Sequence, residues 1–486
     1  MNRHLSLLVF LLLLSPCLAL AKGDPGLREL KATLAELAKD PRLGGARLGL
    51  VARELESGKD VVRMRPAQAF NVASVVKLLT SSAALELLGP EYQFKTVAYA
   101  AREALQGKVR GDLCLKGFGD PALDEGALWQ MVQQLHERGI NSVEGGLVID
   151  ESFFDGERDP PLYNTRDSEM YYRPTTGALA LDRNIIHVMV RGGANKGDPA
   201  RVLVQPRSPH FLPVSEVTTT SPGGRNRLRV KTSTLTEPAG ALEVRVTGKV
   251  RPGKLRQVAR LRVADPGLAA ARAFVDALSR RGITLGTPGI QRGKCPDKPE
   301  VLAWWRSAPL SRLLHIMNKK SDNFMAEQLL KTMGAQASGG PGSSAGGLKV
   351  VARYLRKAGL KPGSYMLKNG SGLYEASSLS PEQVVQVLRF ALRDFKTGPD
   401  LAASLAIAGV DGTLRRRLRG TASERWVRAK TGTLTGVVSL AGLAGSSARR
   451  PLVFAAIIND LPEGKVGNGR KVLGLVAAAL VAYLER

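Results

Sequence analysis

Histidine and cysteine are scarce in this chain, with five and three residues among 486. The histidines show no paired spacing, so we predict that the protein holds no metal and needs no cofactor. Of the cysteines, Cys17 lies in the N-terminal segment, whereas Cys114 and Cys295 are far apart. Their spacing is compatible with a disulfide and equally with two buried thiols, so the sequence leaves both open.

Long hydrophobic runs are also missing, and a membrane-spanning helix needs about 20 apolar residues. The run Leu5–Leu14 is shorter, follows Arg3 and precedes the small-x-small pattern Ala19-Leu20-Ala21, which is typical of a secretory signal peptide. A lipoprotein site at Cys17 is disfavoured because Pro16 precedes it. We therefore predict cleavage near Ala21 and a periplasmic protein.

Acidic residues are outnumbered, 43 against 70 Lys and Arg, which gives a formal net charge of +27. So basic a chain would normally suggest a nucleic-acid partner. The cations are spread along the chain without a nucleic-acid-binding motif, and the predicted export also argues against such a partner. We predict no nucleic-acid binding and at most a peripheral association with the envelope.

An α/β pattern is interrupted in its middle by a stretch rich in short strands. Helical and strand patterns alternate near the N-terminus and again from Leu310 onward, whereas residues 179–262 read as short strands broken by Gly, Pro and Asn. The predicted divisions are a signal peptide (1–21), a main domain (22–88 and 290–486) and an inserted region (89–289) of two small domains, one nested at about 105–175.

Three short motifs carry the residue types of serine acyl transfer. The first is Ser74-Val75-Val76-Lys77, at the start of a predicted helix over 75–88. Residues i and i+3 share a helical face, so the Lys77 amine can reach the Ser74 hydroxyl. The lysine can then take its proton, provided that burial lowers the lysine pKa. In isolation such a motif is equally typical of an ordinary helix start.

The second motif, Ser321-Asp322-Asn323, precedes a predicted helix over 324–333. Its hydroxyl and amide lie two residues apart and can both project from a turn into one cleft. The serine can relay a proton there, and the amide can fix a lysine and a substrate carbonyl. Alone, this motif is also compatible with a plain helix N-cap.

The third motif, Lys430-Thr431-Gly432-Thr433, opens a predicted strand over 433–443. Because Gly432 has no side chain, a substrate can lie against the strand edge as an added strand. The backbone N–H of Thr433 can then face an oxyanion. Lys430 and the threonine hydroxyls suit a terminal carboxylate.

A second Lys-Thr-Gly triplet, at 396–398, is assigned no role, because Pro399 breaks any strand that would follow it. The three motifs above, in this order, form the set shared by penicillin-binding proteins and class A β-lactamases. The separation between Ser74 and Ser321 is far longer than a compact β-lactamase requires.

With these motifs the sequence resembles the D-alanyl-D-alanine carboxypeptidase/endopeptidase family, the class C low-molecular-mass penicillin-binding proteins. Further similar stretches extend the resemblance over essentially the whole mature chain, at 111–121, 146–155, 369–373, 408–414 and 428–434. The resemblance implies an α/β (α+β) fold. Its penicillin-binding/β-lactamase-like transpeptidase domain has an antiparallel sheet flanked by helices and is interrupted by two inserted β-rich or mixed domains. It also implies two partners, peptidoglycan peptides ending in D-Ala-D-Ala and β-lactams.

The catalytic roles implied by the resemblance fall on the first two motifs. Ser74 would be the acyl-enzyme nucleophile and Lys77 its base. Ser321 would shuttle the proton toward the leaving D-alanine, and Asn323 would position the reacting groups.

The substrate-binding roles fall on the third motif. Lys430 and Thr431 would bind the terminal carboxylate beside the bare strand edge at Gly432. The backbone N–H groups of Ser74 and Thr433 would form the oxyanion hole.

The sequence departs from the family pattern near the expected cleft. Asn369 stands where the family usually has Asp, and Tyr374-Glu375 stands where it often has Ser-Arg. The exchange of a cation for Glu375 puts the family's preference for a substrate side chain in doubt. Asp167 or Glu169 is a candidate partner for an amine on the stem peptide, against the alternative of two solvent-exposed loop acids.

Two other functions are compatible with such a fold. A catalytically silent peptidoglycan-binding scaffold is disfavoured because all three motifs are intact. A β-lactamase or esterase is disfavoured by the long insertion between the first two motifs. The prediction is therefore an exported serine D-alanyl-D-alanine carboxypeptidase that also acts as a D,D-endopeptidase if it accepts cross-links.

Overall fold

The computed structural model describes residues 24–101, 106–165, 169–287 and 289–486. The predicted signal peptide and Asp167 lie outside these residues. The strands of the described residues are β1 Arg47–Glu54, β2 Asp60–Met64, β3 Lys95–Ala100, β4 Lys108–Val109, β5 Leu113–Gly117, β6 Ser142–Val143, β7 Leu147–Asp150, β8 Ile185–Arg191, β9 Arg201–Gln205, β10 Phe211–Thr219, β11 Arg227–Thr234, β12 Leu242–Val250, β13 Arg256–Arg262, β14 Thr284–Leu285, β15 Ile290–Arg292, β16 Glu300–Arg306, β17 Met366–Leu367, β18 Ser377–Ser378, β19 Ala406–Ile407, β20 Val427–Leu434, β21 Val437–Ala444 and β22 Leu452–Asn459.

The helices begin where capping residues satisfy their free N–H groups. Asp24 caps the first helix with Pro25 at its first position, and Ser380 and Gln383 form a reciprocal capping box on the eighth. The α-helices of the described residues are α1 Pro25–Ala38, α2 Val76–Leu88, α3 Glu125–Glu137, α4 Pro266–Arg280, α5 Leu310–Lys320, α6 Asn323–Ser338, α7 Ser344–Lys357, α8 Pro381–Arg393, α9 Gly398–Ser404 and α10 Val466–Leu484.

The main sheet has six strands in the order β19-β20-β21-β22-β1-β2, and every neighbouring pair is antiparallel. Its strand β22 is buried at every position, because helices cover both faces. Side chains alternate along a strand, so Val453 and Ile457 pack into the core with α2 and α5–α9. Phe454 and Ile458 pack on the other face with α1 and α10. This sheet flanked by helices is the predicted fold class.

The middle of the chain forms further sheets with cores of their own. A mixed five-stranded sheet, β15-β7-β5-β3-β16, packs against α3 and α4. Two three-stranded sheets, β13-β8-β9 and β10-β12-β11, share another core. The Gln328 amide of α6 donates to the carbonyls of Gly119 and Gly177, at 3.4 and 2.9 Å. This region therefore contacts the helix that begins with the second motif.

Cys114 and Cys295 form a disulfide, with their Cα atoms 5.6 Å apart. It joins β5 to the segment after β15 and closes a loop of 181 positions. Of the two alternatives left open by the sequence, the structure therefore contains the disulfide.

The strand predicted over 433–443 is wrong in its extent. The residues form two antiparallel strands, β20 and β21, joined by a turn at Thr435 and Gly436. Gly436 has a φ of 70°, a left-handed conformation that glycine adopts without steric cost. The third motif consequently lies inside β20 and does not open a strand. Within the described part of the chain, no helix is long and apolar enough to cross a membrane.

Candidate active site

Ser74 lies in a 3₁₀ turn, Ala73–Val75, that leads directly into α2. The turn is held in an unusual conformation, because Ala73 has a φ of 48° and its N–H donates to the Asn71 side chain at 2.9 Å. The Ser74 side chain is therefore presented at the start of the helix, half-buried. The Lys77 Nζ, one turn further on, donates to the Ser74 Oγ at 3.0 Å.

The Lys77 amine is fully buried and bonded on three sides. Besides Ser74 it donates to the Asn323 Oδ1 and to the Ser371 carbonyl, both at 2.7 Å. Burial lowers the pKa of Lys77 to about 7, although the negative charges of Glu327 and Asp322 oppose that shift. At neutral pH a large fraction of this amine is uncharged, and it can accept a proton from a hydroxyl at this distance.

The second motif forms the junction between α5 and α6. Ser321 ends α5 in the left-handed conformation, with φ 60° and ψ 44°, and the Asp322 side chain caps α6. The Asn323 amide donates to the Tyr172 carbonyl at 2.7 Å, which turns its oxygen toward Lys77. Arg183 bonds the Asp322 carboxylate at 3.3 Å. The middle region of the chain thus orients both polar residues that follow Ser321.

The third motif meets the second across the site. The Lys430 Nζ donates to the Ser321 Oγ at 2.8 Å and to the Thr431 carbonyl at 2.6 Å. Burial, and then the charge of Lys77, lower the pKa of Lys430 well below its usual range. The Thr431 hydroxyl donates to the hydroxyl of Thr413 at 2.8 Å. The site thus contains two amine–hydroxyl contacts, one between Lys77 and Ser74 and the other between Lys430 and Ser321.

Gly432 is needed because β20 runs directly against the turn that carries Ser74. A Cβ atom at Gly432 would lie 2.1 Å from the Ser439 Oγ, 2.8 Å from the Val72 carbonyl oxygen and 3.0 Å from the Ala73 Cβ. No side chain fits in that space. Thr433, the next residue, is exposed. All eight predicted site residues therefore lie in the three segments that meet around Ser74 and Lys77.

Glu327 and Tyr163 support the site but were not among the predicted site residues. The buried Glu327 carboxylate accepts the N–H groups of Gly370 and Ser371, at 3.1 and 2.8 Å. The Tyr163 hydroxyl bonds the Ser371 hydroxyl at 2.7 Å. These contacts fix the carbonyl of Ser371 against Lys77. A signal for Glu327 was present, because residues 323 and 327 share one helical face.

The departures from the family pattern have different structural settings. Asn369 is buried, and its amide donates to the carbonyls of Pro161 and Leu373, which a carboxylate would not do. Tyr374 packs edge-on against Tyr163 with ring centroids 6.3 Å apart. Glu375 and Glu169 have exposed side chains.

The triplet at 396–398 runs from the turn after α8 into the first residue of α9 and is not in a strand, as expected from Pro399. Its Thr397 hydroxyl donates to the Asp394 carboxylate at 2.7 Å. Among the residues that the structure describes, no group of three or more His, Cys, Asp and Glu side chains is placed to hold a metal ion.

Glu327→Gln is expected to shift the acidic limb of the pH–rate profile to lower pH. The Glu327 charge raises the pKa of Lys77, so its removal lets the amine lose its proton at lower pH. The glutamine oxygen can still accept from the Ser371 N–H, but the NH₂ group that replaces the second oxygen cannot accept from the Gly370 N–H. The measurement is kcat/KM against pH. Glu86→Gln, on exposed α2 surface, serves as the control, and an unchanged limb in Glu327→Gln would show that this carboxylate does not act on Lys77.

A serine and a lysine are in contact at a helix start, and a second serine is bonded to a lysine on a strand edge. A six-stranded sheet lies between helix layers. Together these features define a serine hydrolase of the penicillin-binding class. The comparisons agree with this class. The chain belongs to the D-Ala-D-Ala carboxypeptidase 3 (S13) family, which it matches over residues 30–480.

Two relatives and one solved structure are similar to this chain over most of their length. The D-alanyl-D-alanine carboxypeptidase of Actinomadura sp. (strain R39) is 34% identical over 88% of this chain and 80% of its own. The D-alanyl-D-alanine carboxypeptidase DacB of Haemophilus influenzae is 28% identical over 91% of both chains. The crystal structure of penicillin-binding protein 4 (dacB) from Haemophilus influenzae has a TM-score of 0.77 with 25% identity, covering 93% of this chain and 98% of the other.

Proposed function

We propose that this protein removes the terminal D-alanine from peptidoglycan stem peptides through an acyl-enzyme on Ser74. The observation that carries the proposal is the contact between the Lys77 Nζ and the Ser74 Oγ, at 3.0 Å. The low pKa of Lys77 supports it, because a serine hydroxyl becomes nucleophilic only when a base takes its proton.

In the acylation step Lys77 accepts the Ser74 proton while the Ser74 Oγ attacks the carbonyl carbon of the penultimate D-alanine. The N–H groups of Ser74 and Thr433 stabilise the oxyanion. The C–N bond then breaks, and the proton taken by Lys77 passes to the leaving amine through the Ser321 hydroxyl, which Lys430 contacts at 2.8 Å, so that Lys77 is neutral again. The products are an ester on Ser74 and free D-alanine.

Water completes the cycle by attacking this ester. The water gives one proton to Lys77, which passes it to the Ser74 Oγ as the ester bond breaks. The products are the free Ser74 hydroxyl and a shortened peptide carboxylate. Asn323 holds Lys77 through its oxygen at 2.7 Å throughout. Lys430, Thr431 and Thr433 bind the substrate's terminal carboxylate beside Gly432, on the part of the β20 edge that lies beyond its pairing with β19.

The same acylation accounts for two finer properties that we propose. A β-lactam presents a reactive amide whose ring opens on Ser74, so penicillins would bind covalently. A D,D-cross-link presents the same D-alanyl carbonyl with a larger leaving amine, so endopeptidase activity needs only room beyond the carboxylate site.

We also propose that the protein is exported and acts in the periplasm. The Cys114–Cys295 disulfide supports this, because disulfides persist mainly in oxidising compartments. The N-terminal pattern up to Ala21 is compatible with a cleaved signal peptide.

The proposal is tested on the unmodified protein with three substrates. Fluorescent penicillin is expected to form an adduct that mass spectrometry assigns to the Ser74 peptide, and a model pentapeptide is expected to release D-alanine. A chromogenic cephalosporin is expected to turn over slowly. Absence of both adduct and D-alanine would leave the silent scaffold, and rapid cephalosporin hydrolysis would favour a β-lactamase.

A further inference from the structure

A groove of about 620 Å³ opens beside the third motif. Thr413, Thr431 and Thr433 form one end of it, and the start of α10 forms the other. All of the charged residues that line the groove are cationic. The cationic residues are Arg42, Arg416, Arg417, Arg470 and Lys471.

Four of these five cations have no carboxylate partner among the described residues. Arg42 is the exception, because the carboxylate of Asp40 bonds its guanidinium. Arg417 is half-buried and donates to the Arg470 carbonyl at 3.0 Å. Its burial and the charge of Arg470 lower the pKa of Arg417 to about 10, so it stays protonated at neutral pH. Like charges held together without a counter-ion are unfavourable, and an anionic ligand would relieve their repulsion.

The position of the groove indicates which anion it receives. In the proposed function the hydroxyls of Thr431 and Thr433 hold the carboxylate of the residue that leaves. The groove begins at those hydroxyls, so it lies on the leaving side of the scissile bond. A departing D-alanine ends at that carboxylate, whereas a longer leaving group extends beyond it toward the rest of the groove.

We propose that this groove binds the leaving half of a D,D-cross-linked peptide through that half's additional carboxylates, an inference that rests on the proposed function. The leaving group of a cross-link is a second stem peptide, which carries several carboxylates beyond the one at the scissile residue. The bond that breaks is again the D-alanyl C–N bond, and the amine that takes the proton belongs to the second stem. The groove thereby makes the cross-linked dimer a preferred substrate.

The test compares kcat/KM for a cross-linked peptide dimer with kcat/KM for a monomeric pentapeptide. Arg416→Gln and Arg470→Gln are each expected to lower the dimer-to-monomer ratio about fivefold at low ionic strength, and the double variant by more than tenfold. Arg353→Gln, an exposed arginine on α7 outside the groove, is the matched control and is expected to keep the ratio. A dimer whose second stem has amidated carboxylates is expected to respond to none of the changes.

Salt gives an independent measurement on the unmodified protein. The dimer-to-monomer ratio of kcat/KM is expected to fall with added salt, because screening weakens contacts between exposed charges. This measurement needs no variant, so it tests the role of the groove even if a variant does not fold. A ratio that is unchanged in the double variant and insensitive to salt would overturn the groove's role, as would cleavage of the monomer without the dimer. Loss of monomer hydrolysis and of the penicillin adduct in the unmodified protein would instead overturn the proposed function.

Discussion

Ser74→Ala is expected to lower kcat for D-alanine release by a factor on the order of 10⁴ to 10⁶, the range seen when a serine nucleophile is removed. The Ser74 Oγ is the atom that Lys77 contacts at 3.0 Å, and alanine has no atom to carry the acyl group. The fluorescent penicillin adduct is expected to disappear with it. Both losses are measured on the purified variant beside the unmodified protein.

The fold is expected to survive this change, because Ser74 is half-buried and its side chain is small. Ser82→Ala is the matched control on the same helix. The Ser82 hydroxyl is buried and donates to the Leu78 carbonyl at 2.7 Å, so its loss is expected to lower the free energy of unfolding by about 1 kcal/mol. Its activity is expected to remain. Retained penicillin labelling in Ser74→Ala would place the nucleophile at another residue.

The contact between Ser74 and Lys77 was predictable because it is local. The sequence spacing alone brings positions i and i+3 to one helical face. The contact from Lys77 to Asn323 joins residues 246 positions apart, and the contact from Lys430 to Ser321 joins residues 109 apart. Nothing in local periodicity specifies such pairs. The residue types of the second motif suggested that the Asn323 amide fixes a lysine, but the contact between Lys430 and Ser321 was not predicted and required the structure.

The extent of β20 was mispredicted because no charge or proline separates it from β21. The turn at 435–436 depends on the positive φ of Gly436, and the sequence signal for it was a single Thr-Gly pair inside an apolar run. The supporting contacts of Tyr163, Tyr172 and Arg183 depend on how the middle of the chain folds back onto α6. The predicted domain limits, 22–88 with 290–486 around 89–289, stay a prediction.

The two buried lysines make a pH profile hard to assign by itself. The pKa of Lys77 is lowered to about 7 by burial, and the pKa of Lys430 is also lowered, in part by the charge of Lys77. Groups so coupled titrate as a pair, and an apparent pKa belongs to both. A rise of kcat/KM with pH therefore belongs to the coupled pair, and only substitution separates the two lysines.

Lys77→Met is expected to lower kcat/KM by about 10² to 10⁴, the usual contribution of a positioned general base, and to remove the limb near pH 7. In the unmodified protein kcat/KM is expected to rise with pH through about 7, because below that value Lys77 is protonated and cannot accept the Ser74 proton. Methionine keeps most of the side chain's volume but has no basic nitrogen, so the profile is expected to be flat.

Lys77→Arg separates the two contributions that a lysine can make. Arginine keeps the positive charge that would attract an anionic substrate, but its guanidinium does not lose its proton in a protein. If Lys77 acts as the base, this variant is expected to be as impaired as Lys77→Met. Activity retained in Lys77→Arg would mean that the charge matters and the proton acceptor lies elsewhere. Lys430, which contacts the Ser321 Oγ at 2.8 Å, would then be the group to substitute next.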